Sequence, residues 1–223
     1  MPLEIYADTV CPWCYIGKRR LERALRLAKA SGDLGAALPT DRDIRWRPFL
    51  LNPGMPQGGM DRRAYLAWKF GGAGRASFIA DRIVQEARDD GIAFAFDRIS
   101  RTPNTMDSHR LIAFAQGQGD AEPIVEALFA AYFCEGRDIG KRDELIAIGA
   151  GCGLDSSDIR DHLQGEAGLA EVAVANDRAR ALGINSVPCF VLDDREALSG
   201  AQPPEVFLRL FDFARSRAAT DAQ

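Results

Sequence analysis

The sequence has few of the residues that build metal sites and disulfide frameworks. Among its 223 residues there are five cysteines and two histidines. A small and odd number of cysteines is untypical of a secreted fold that is held together by disulfides. A structural zinc site needs four ligands. Because the sequence contains a single close pair of cysteines, it argues against a bound metal.

The sequence also lacks long apolar runs and an excess of basic residues. No segment approaches the roughly 18 apolar residues of a membrane-spanning helix, and the first residues show none of the features of a signal peptide. The formal net charge is −4. Basic residues, nearly all of them arginines, alternate with acidic ones, which argues against nucleic acid as a partner and predicts solvent-exposed charged faces. We therefore expect a soluble cytoplasmic protein without nucleic-acid or membrane partners.

What the sequence does contain is a cysteine pair between two predicted elements. Cys11-Pro12-Trp13-Cys14 follows a short strand predicted over 3–7 and precedes an amphipathic helix. The N-terminus of a helix stabilises an anion, so this position favours the thiolate of Cys11, the form that attacks disulfides. Cys14, one turn further, can attack the resulting mixed disulfide, and Pro12 suits the first helical position. The motif predicts a redox-active dithiol, with half of a zinc site or two structural thiols as the alternatives.

The order of the predicted elements indicates an α/β fold interrupted by helices. After the first helix, the pattern predicts a loop, a strand, a helical block, two strands and a closing helix. Their main predicted bounds are 32–43 for the loop, 44–50 for the strand, helices opening at Thr102-Pro103 and at Glu166, strands at 189–192 and 197–200, and a last helix over 205–217. We predict one sheet built by residues 1–60 and 184–223, with a helical domain over 61–183 inserted between them.

Five motifs connect the chain to a known family. They are DTVCPWCYIGKR at 8–19, PNTMDSHR at 103–110, YFCEGRDI at 132–139, VP at 187–188 and SGAQ at 199–202. With these motifs, in this order along nearly the whole chain, the sequence resembles the DsbA family and within it the cytoplasmic FrnE-like branch. The resemblance implies a thioredoxin fold with a large inserted all-helical domain. It also implies a dithiol–disulfide oxidoreductase or isomerase that acts on protein or small-molecule disulfides and has no tightly bound cofactor.

The motif and the resemblance together indicate a set of site residues. Cys11 is the expected nucleophile and Cys14 the resolving thiol. Val187 and Pro188, joined by a cis peptide bond, are expected to face them and to offer backbone groups to an extended peptide or to glutathione, the expected co-substrate. The other expected substrate-binding residues are Pro12, Trp13, Asn104, His109, Ser199 and Gln202, with Trp13 at the rim of a groove. Structural roles are the alternative for His109 and Asn104, and strand-end capping is the alternative for Ser199 and Gln202.

The sequence departs from many thioredoxin-fold oxidoreductases at two positions. The acid that they carry six residues before the first cysteine is replaced by Ile5, and Glu4 is expected to point to the opposite face of the strand. Asp8 is a candidate to replace that acid as proton acceptor for the second thiol, or it is a loop carboxylate. Cys189, next to the expected cis proline, is expected to be a packed strand residue, with redox exchange with Cys11 as the alternative.

Two other functions stay open on the sequence. The 2-hydroxychromene-2-carboxylate isomerases and kappa-class glutathione transferases, which resemble the chain in fold, use glutathione and typically have Ser at the position of Cys11. In such an enzyme Cys11 would activate the glutathione sulfur for attack on a small aromatic substrate, and Cys14 would be dispensable. A scaffold with an inactive thiol pair is the third hypothesis. The complete cysteine pair favours the oxidoreductase.

Overall fold

The structure, a computed structural model, describes residues 1–32 and 38–221. Residues 33–37, in the loop predicted over 32–43, and residues 222–223 lie outside the described residues. Within the described ranges no helix is long and apolar enough to cross a bilayer. The elements, in chain order, are β1 (Leu3–Ala7), α1 (Pro12–Ser31), β2 (Ile44–Pro48), β3 (Met60–Asp61), α2 (Arg62–Phe70), α3 (Ala73–Glu86), β4 (Arg101–Thr102), α4 (Met106–Gln118), α5 (Glu122–Phe133), α6 (Arg142–Gly151), α7 (Ser156–Gln164), α8 (Leu169–Ala181), β5 (Cys189–Leu192), β6 (Glu196–Ser199) and α9 (Pro204–Asp221).

The four longer strands form one mixed sheet in the order β2-β1-β5-β6. β1 pairs with β2 in parallel and with β5 in antiparallel orientation, and β5 pairs with β6 in antiparallel orientation. The central strands β1 and β5 are almost wholly buried, which explains their largely apolar sequences. As predicted, both ends of the chain build one sheet.

Helix α1 lies against α9 and the sheet. It comes close to β5 at Gly17, where an added Cβ would lie 2.8 Å from Pro188 Cγ and 3.1 Å from Phe190 Cζ. Phe190 in turn packs edge-to-face on Phe207 of α9, with 4.8 Å between the ring centroids. This packing holds the first turns of α1 against the beginning of β5, and so positions the cysteine pair relative to the segment that precedes β5.

Helices α2–α8 lie between the two halves of the sheet in sequence, and α4, α5 and α8 contact β2 in space. The ring of Phe129, on α5, stacks on Tyr15 of α1 at 5.1 Å and meets Trp46 of β2 edge-to-face at 6.4 Å. Most of the buried apolar residues of the sheet and the helices form one continuous cluster. The helical segment therefore shares its core with the sheet, and its separation as a domain over 61–183 stays a prediction.

Three predicted features of this segment differ from the structure. It is not entirely helical, because β3 and β4 form a two-stranded antiparallel ladder. Thr102 belongs to that ladder and therefore does not cap a helix. Helix α4 begins instead at Met106, where the Asn104 side chain accepts the Met106 N–H at 2.9 Å and forms the preceding turn. Helix α8 begins at Leu169 rather than at Glu166, after Gly168 with a left-handed φ of 81°.

Two basic residues of α1 are buried, against the expectation of a solvent-exposed charged face. Lys18 is 2% exposed, and its Nζ binds Glu22, Glu122 at 2.6 Å and Glu126 at 2.7 Å. Arg20 is buried in the same way and is paired with acidic residues at and beyond the end of α3. A buried charge needs a partner of opposite sign. Here α5 and the segment after α3 cover the polar side of α1 and supply these carboxylates.

Candidate active site

The two cysteines lie between β1 and the first turn of α1, as predicted. Cys11 is the N-cap residue, with extended backbone (φ −95°, ψ 110°), and Pro12 is the first helical residue. The Cys14 N–H donates to the Cys11 carbonyl at 3.0 Å and closes the turn. The first turn contains no acidic residue and the Cys11 side chain does not cap it. The positive end of the helix therefore lies at Cys11, where it favours an anion.

The two thiols are free and both are buried. Burial raises the pKa of the Cys14 thiol well above its ordinary value, and the neighbouring Cys11 sulfur raises it further through a hydrogen bond and its charge. Burial has this effect because an apolar environment disfavours the charged form of a thiol. Cys14 is therefore held as a thiol until a base takes its proton.

The segment that precedes β5 faces the cysteine pair. The Val187–Pro188 peptide bond is cis, as predicted. The Cys11 thiol donates to the Val187 carbonyl at 3.6 Å, and Pro188 packs against Gly17, about one turn after Cys14. The predicted placement of this segment is confirmed, whereas its role in substrate binding stays a prediction.

An apolar groove opens beside Cys11. It has a volume of about 340 Å³ and lies between the cysteine pair, the segment before β5 and helices α2 and α3. Trp13, which is 38% exposed, lines it, as expected for a residue at the rim of a groove. Leu66 and Phe70 of α2 and Ile79 of α3 contribute apolar surface on the other side. Cys11 thus borders a space that can hold a ligand.

Helices α2 and α3 contribute groove residues that the sequence alone did not indicate. Besides the apolar residues, they are Arg62, Tyr65 and Lys69 of α2. The available signal was the spacing of Ile79 and Ile83, which predicts one apolar helix face. That spacing does not say what the face packs against. In the structure Ile83 packs near Ile16 of α1, and the same face also borders the groove.

Pro12, Trp13 and Val187 line the groove, whereas five other predicted substrate-binding residues lie outside its lining: Pro188, which packs against Gly17, and Asn104, His109, Ser199 and Gln202. Asn104 forms the turn before α4 and lines a separate surface pocket. Ser199 makes a 3.1 Å hydrogen bond with Ser186, a groove residue, and so is one contact away from the groove. The Gln202 side chain donates to the Ser199 carbonyl at 2.9 Å, as a residue capping a strand end does. A role of these residues in binding stays a prediction.

His109, another predicted substrate-binding residue outside the groove lining, lies in the interior beside Asp8. Asp8 is wholly buried, and its Oδ2 accepts the Leu51 N–H at 2.7 Å. His109 Nε2 lies 3.5 Å from Asp8 Oδ1 but is not aligned for a hydrogen bond. The Asp8 backbone lowers the pKa of Cys14, whereas the charge of the Asp8 carboxylate raises it. A carboxylate and a histidine therefore lie together behind the buried thiol.

The two expected departures from the oxidoreductase pattern are present in the structure. Ile5 is a buried core residue, and Glu4 is tied to Arg47 by an ion pair and to the Tyr6 hydroxyl by a hydrogen bond of 2.8 Å. β1 therefore has no acid at the position from which many thioredoxin-fold oxidoreductases accept the proton of the second thiol. Cys189 is a packed residue of β5, as expected, and burial raises its pKa.

Comparison with known proteins gives a family and a closely similar fold. The family model of the DSBA-like thioredoxin domain matches residues 2–212. Among curated proteins, the uncharacterized protein YwbO of Bacillus subtilis (strain 168) is 24% identical over 212 residues, which cover 92% of each chain. Among solved structures, the probable DsbA oxidoreductase SCO1869 from Streptomyces coelicolor has a TM-score of 0.84 and 31% identity, covering 97% of this chain and 90% of that chain.

Two further solved structures share the fold at lower identity. The cytosolic disulfide reductase DsbM from Pseudomonas aeruginosa, with GSH, has a TM-score of 0.63 and 21% identity, covering 100% of this chain and 99% of that chain. A 2-hydroxychromene-2-carboxylate isomerase has a TM-score of 0.65 and 18% identity, covering 100% of both chains. At these identities the likeness shows the fold alone, and this fold includes both enzyme classes that the sequence left open.

Proposed function

The chain belongs to the DsbA-like thioredoxin domain family, and we propose that it is a cytoplasmic dithiol–disulfide oxidoreductase and isomerase that uses Cys11 and Cys14 to exchange with protein or small-molecule disulfides. One observation carries the proposal. Cys11 is the N-cap residue of α1 and borders an open groove, whereas Cys14 lies one turn further along α1 and is not part of the groove lining. The exchange reaction needs a nucleophile that meets substrate and a second thiol within its reach.

The reaction proceeds in two exchange steps. The Cys11 thiolate first attacks one sulfur of a substrate disulfide, so that a mixed disulfide forms and the other sulfur leaves as a thiolate. Cys14 then loses its proton and attacks the Cys11 sulfur. The internal disulfide forms, and the remaining substrate sulfur leaves as a thiolate. Two electrons pass from enzyme to substrate, and a dithiol or glutathione donor returns the enzyme to its reduced form.

Asp8 is proposed to accept the proton of Cys14. A base is needed because burial raises the pKa of this thiol, and Ile5 occupies the position where related oxidoreductases carry their acid. The Asp8 carboxylate is buried close to Cys14 and has no carboxylate neighbour competing for the proton among its contacts. His109, 3.5 Å away, borders a cavity of about 20 Å³, which is room for one water molecule. The histidine and this cavity offer the proton a way out of the interior.

Backbone groups of Val187 and Pro188 are proposed to align the substrate beside Cys11, with Trp13 covering it from the rim. Glutathione is proposed as a co-substrate rather than a resident cofactor, because the electrons are stored in the two cysteine sulfurs. The likeness in fold to DsbM, whose solved structure contains GSH, supports this assignment.

The second candidate function is a glutathione-dependent isomerase or transferase that acts on a small aromatic substrate. The apolar groove of about 340 Å³ beside Cys11 favours it, because such walls suit an aromatic ring. In that reaction Cys11 would activate the glutathione sulfur, and Cys14 would have no part. The presence of a buried Cys14 with a carboxylate beside it favours the oxidoreductase.

The proposal is tested by insulin reduction with a dithiol donor. Cys11→Ser should abolish the activity, and Cys14→Ser should still attack but accumulate mixed disulfides that mass spectrometry detects. Cys152→Ser removes a part-exposed thiol outside the groove and is the matched control, so it should keep the activity. If Cys11→Ser keeps wild-type activity while Cys14→Ser loses it, the two roles are assigned wrongly.

A further inference from the structure

We propose that the groove beside Cys11 selects small-molecule disulfides and thiols that carry a carboxylate on an apolar body, and that Arg62 binds the carboxylate. The inference rests on the proposed oxidoreductase function and names the substrate class of the same site. It follows from the charges that line the groove, from the way Arg62 is held, and from the apolar walls.

Apart from Cys11 and Tyr65, the ionisable residues that line the groove are positively charged. Arg62 and Lys69 line it, and within the described part of the chain no aspartate, glutamate or histidine does. Neither cation forms an ion pair with any residue in the described ranges. The buried cations Lys18, Arg20 and Arg110, by contrast, each form an ion pair with a carboxylate. Uncompensated positive charge in a cleft raises the local concentration of anions.

Arg62 is held in position by neutral oxygens. Its Nη1 donates to Thr102 Oγ1 and to the Tyr132 hydroxyl, each at 3.2 Å, and its guanidinium carbon lies 5.9 Å from the centre of the Tyr132 ring. Both partners are buried, so this end of the guanidinium is fixed. The Nε and Nη2 donors have no partner among the described residues. Two neighbouring N–H donors of a guanidinium match the two oxygens of a carboxylate.

Lys69 adds a second positive charge on the same helix. Its Nζ donates to the Tyr65 hydroxyl at 2.7 Å and lies 5.2 Å from the centre of the Tyr65 ring. Lys69 is exposed, whereas Arg62 is half-buried. Lys69 therefore attracts anions to the mouth of the groove, and Arg62 binds the carboxylate within it.

The remaining walls decide what kind of molecule carries the carboxylate. Trp13, Leu66, Phe70 and Ile79 are among the lining residues, and burying an aromatic or aliphatic body against them is favourable. The volume of about 340 Å³ lies in the range of small-molecule sites. For a symmetrical aromatic disulfide, the Cys11 thiolate forms a mixed disulfide and releases one aryl thiolate. Cys14 then releases the second as the internal disulfide forms.

The test compares, across variants, the ratio of rates with two aromatic disulfides, the dianionic dithiobis-nitrobenzoate and the smaller, uncharged dithiodipyridine. For each probe, the rate constant of first thiol release by the reduced protein is measured, with Cys11→Ser giving the background of the other thiols. In Arg62→Met the rate with the dianion should fall about tenfold or more, since a hydrogen-bonded charge pair is lost, while the rate with the uncharged probe changes less than about twofold. Arg62→Lys keeps the charge without the paired donors, so its rate should be intermediate.

Arg63→Met is the matched control, because Arg63 is an exposed residue of α2 outside the groove lining and its replacement removes the same charge. It should leave the ratio of the two rates nearly unchanged. If Arg62→Met does not fold, Lys69→Glu on the exposed surface of α2 should lower the same ratio. Equal losses in Arg62→Met and Arg63→Met, or an unchanged ratio in both Arg62→Met and Lys69→Glu, would overturn the inference. A wild-type protein that reacts with neither probe through Cys11 would instead overturn the proposed function.

Discussion

Replacing Asp8 by asparagine should slow the resolving step and leave the first attack on substrate intact. Asparagine has the same shape, so its oxygen can still accept the Leu51 N–H, which Asp8 binds at 2.7 Å. Its amide N–H can donate to His109 Nε2, which has no hydrogen-bond partner among the residues that the structure describes. The loss of the charged acceptor costs about 1–2 kcal/mol of stability, so the variant should stay folded.

The size of the effect follows from the environment of Cys14. General base catalysis contributes about 10²–10⁴-fold to a proton transfer, and burial raises the pKa of Cys14 so that little thiolate exists without a base. Removing the Asp8 charge also lowers the pKa of Cys14, which offsets part of the loss. We therefore expect the resolving step of Asp8→Asn to be about 100-fold slower than that of the wild type at neutral pH, at the low end of this range. Its rate should then rise about tenfold per pH unit, because the thiolate fraction rises by that factor below the pKa.

Stopped-flow mixing of the reduced protein with dithiobis-nitrobenzoate separates the two steps. The first phase is the release of one aryl thiolate by Cys11, and the second is the release of the other by Cys14. Asp8→Asn should slow the second phase alone. Glu4→Gln is the control, because it removes a carboxylate on β1 that is paired with Arg47 and not with the thiols. An unchanged second phase, or equal slowing of both phases, would refute the role of Asp8.

Two further predictions concern stability. Gly17→Ala should lower the free energy of unfolding by about 1–3 kcal/mol in urea, because its Cβ would lie 2.8 Å from Pro188 Cγ. Gly117→Ala in α4 is the control, because no atom lies within 4 Å of the new Cβ, and it should raise the free energy of unfolding by up to about 1 kcal/mol. A Gly17→Ala protein of wild-type stability would contradict the close packing of Gly17 against Pro188. The reduced protein should lose stability as pH rises above about 8.5, because burial raises the folded-state pKa of Cys14 above its unfolded value and alkali then favours unfolding. Cys14→Ala should show a shallower decline, and an equal decline would rule out this cause.

Features that depend on neighbouring residues along the chain were predictable. β1 spans the predicted residues 3–7, and the cysteine motif lies at the start of α1, because alternation, helical spacing and a four-residue motif are all local. The cis Val187–Pro188 peptide followed from the family resemblance rather than from propensity. The site residues closest to the chemistry therefore came from the motif and from the resemblance.

Features that depend on tertiary packing were not predictable. The spacing of Lys18 placed it on the polar side of α1, but α5 covers that side and neutralises the buried charge with Glu122 and Glu126. The sequence did not indicate that Arg62 lines the groove, because its position there depends on how α2 packs beside the cysteine pair. The burial of Asp8 beside His109 also joins residues about a hundred positions apart, and no local pattern reports such a contact.

The central claim is that Cys11 and Cys14 cycle between dithiol and disulfide during turnover. A paired assay tests it most directly, with insulin reduction by a dithiol donor in one arm and glutathione conjugation to a small aromatic electrophile in the other. We predict that the wild-type protein reduces insulin and that Cys14→Ala loses most of this turnover. Robust conjugation that survives Cys14→Ala, with no insulin reduction by the wild type, would contradict the account.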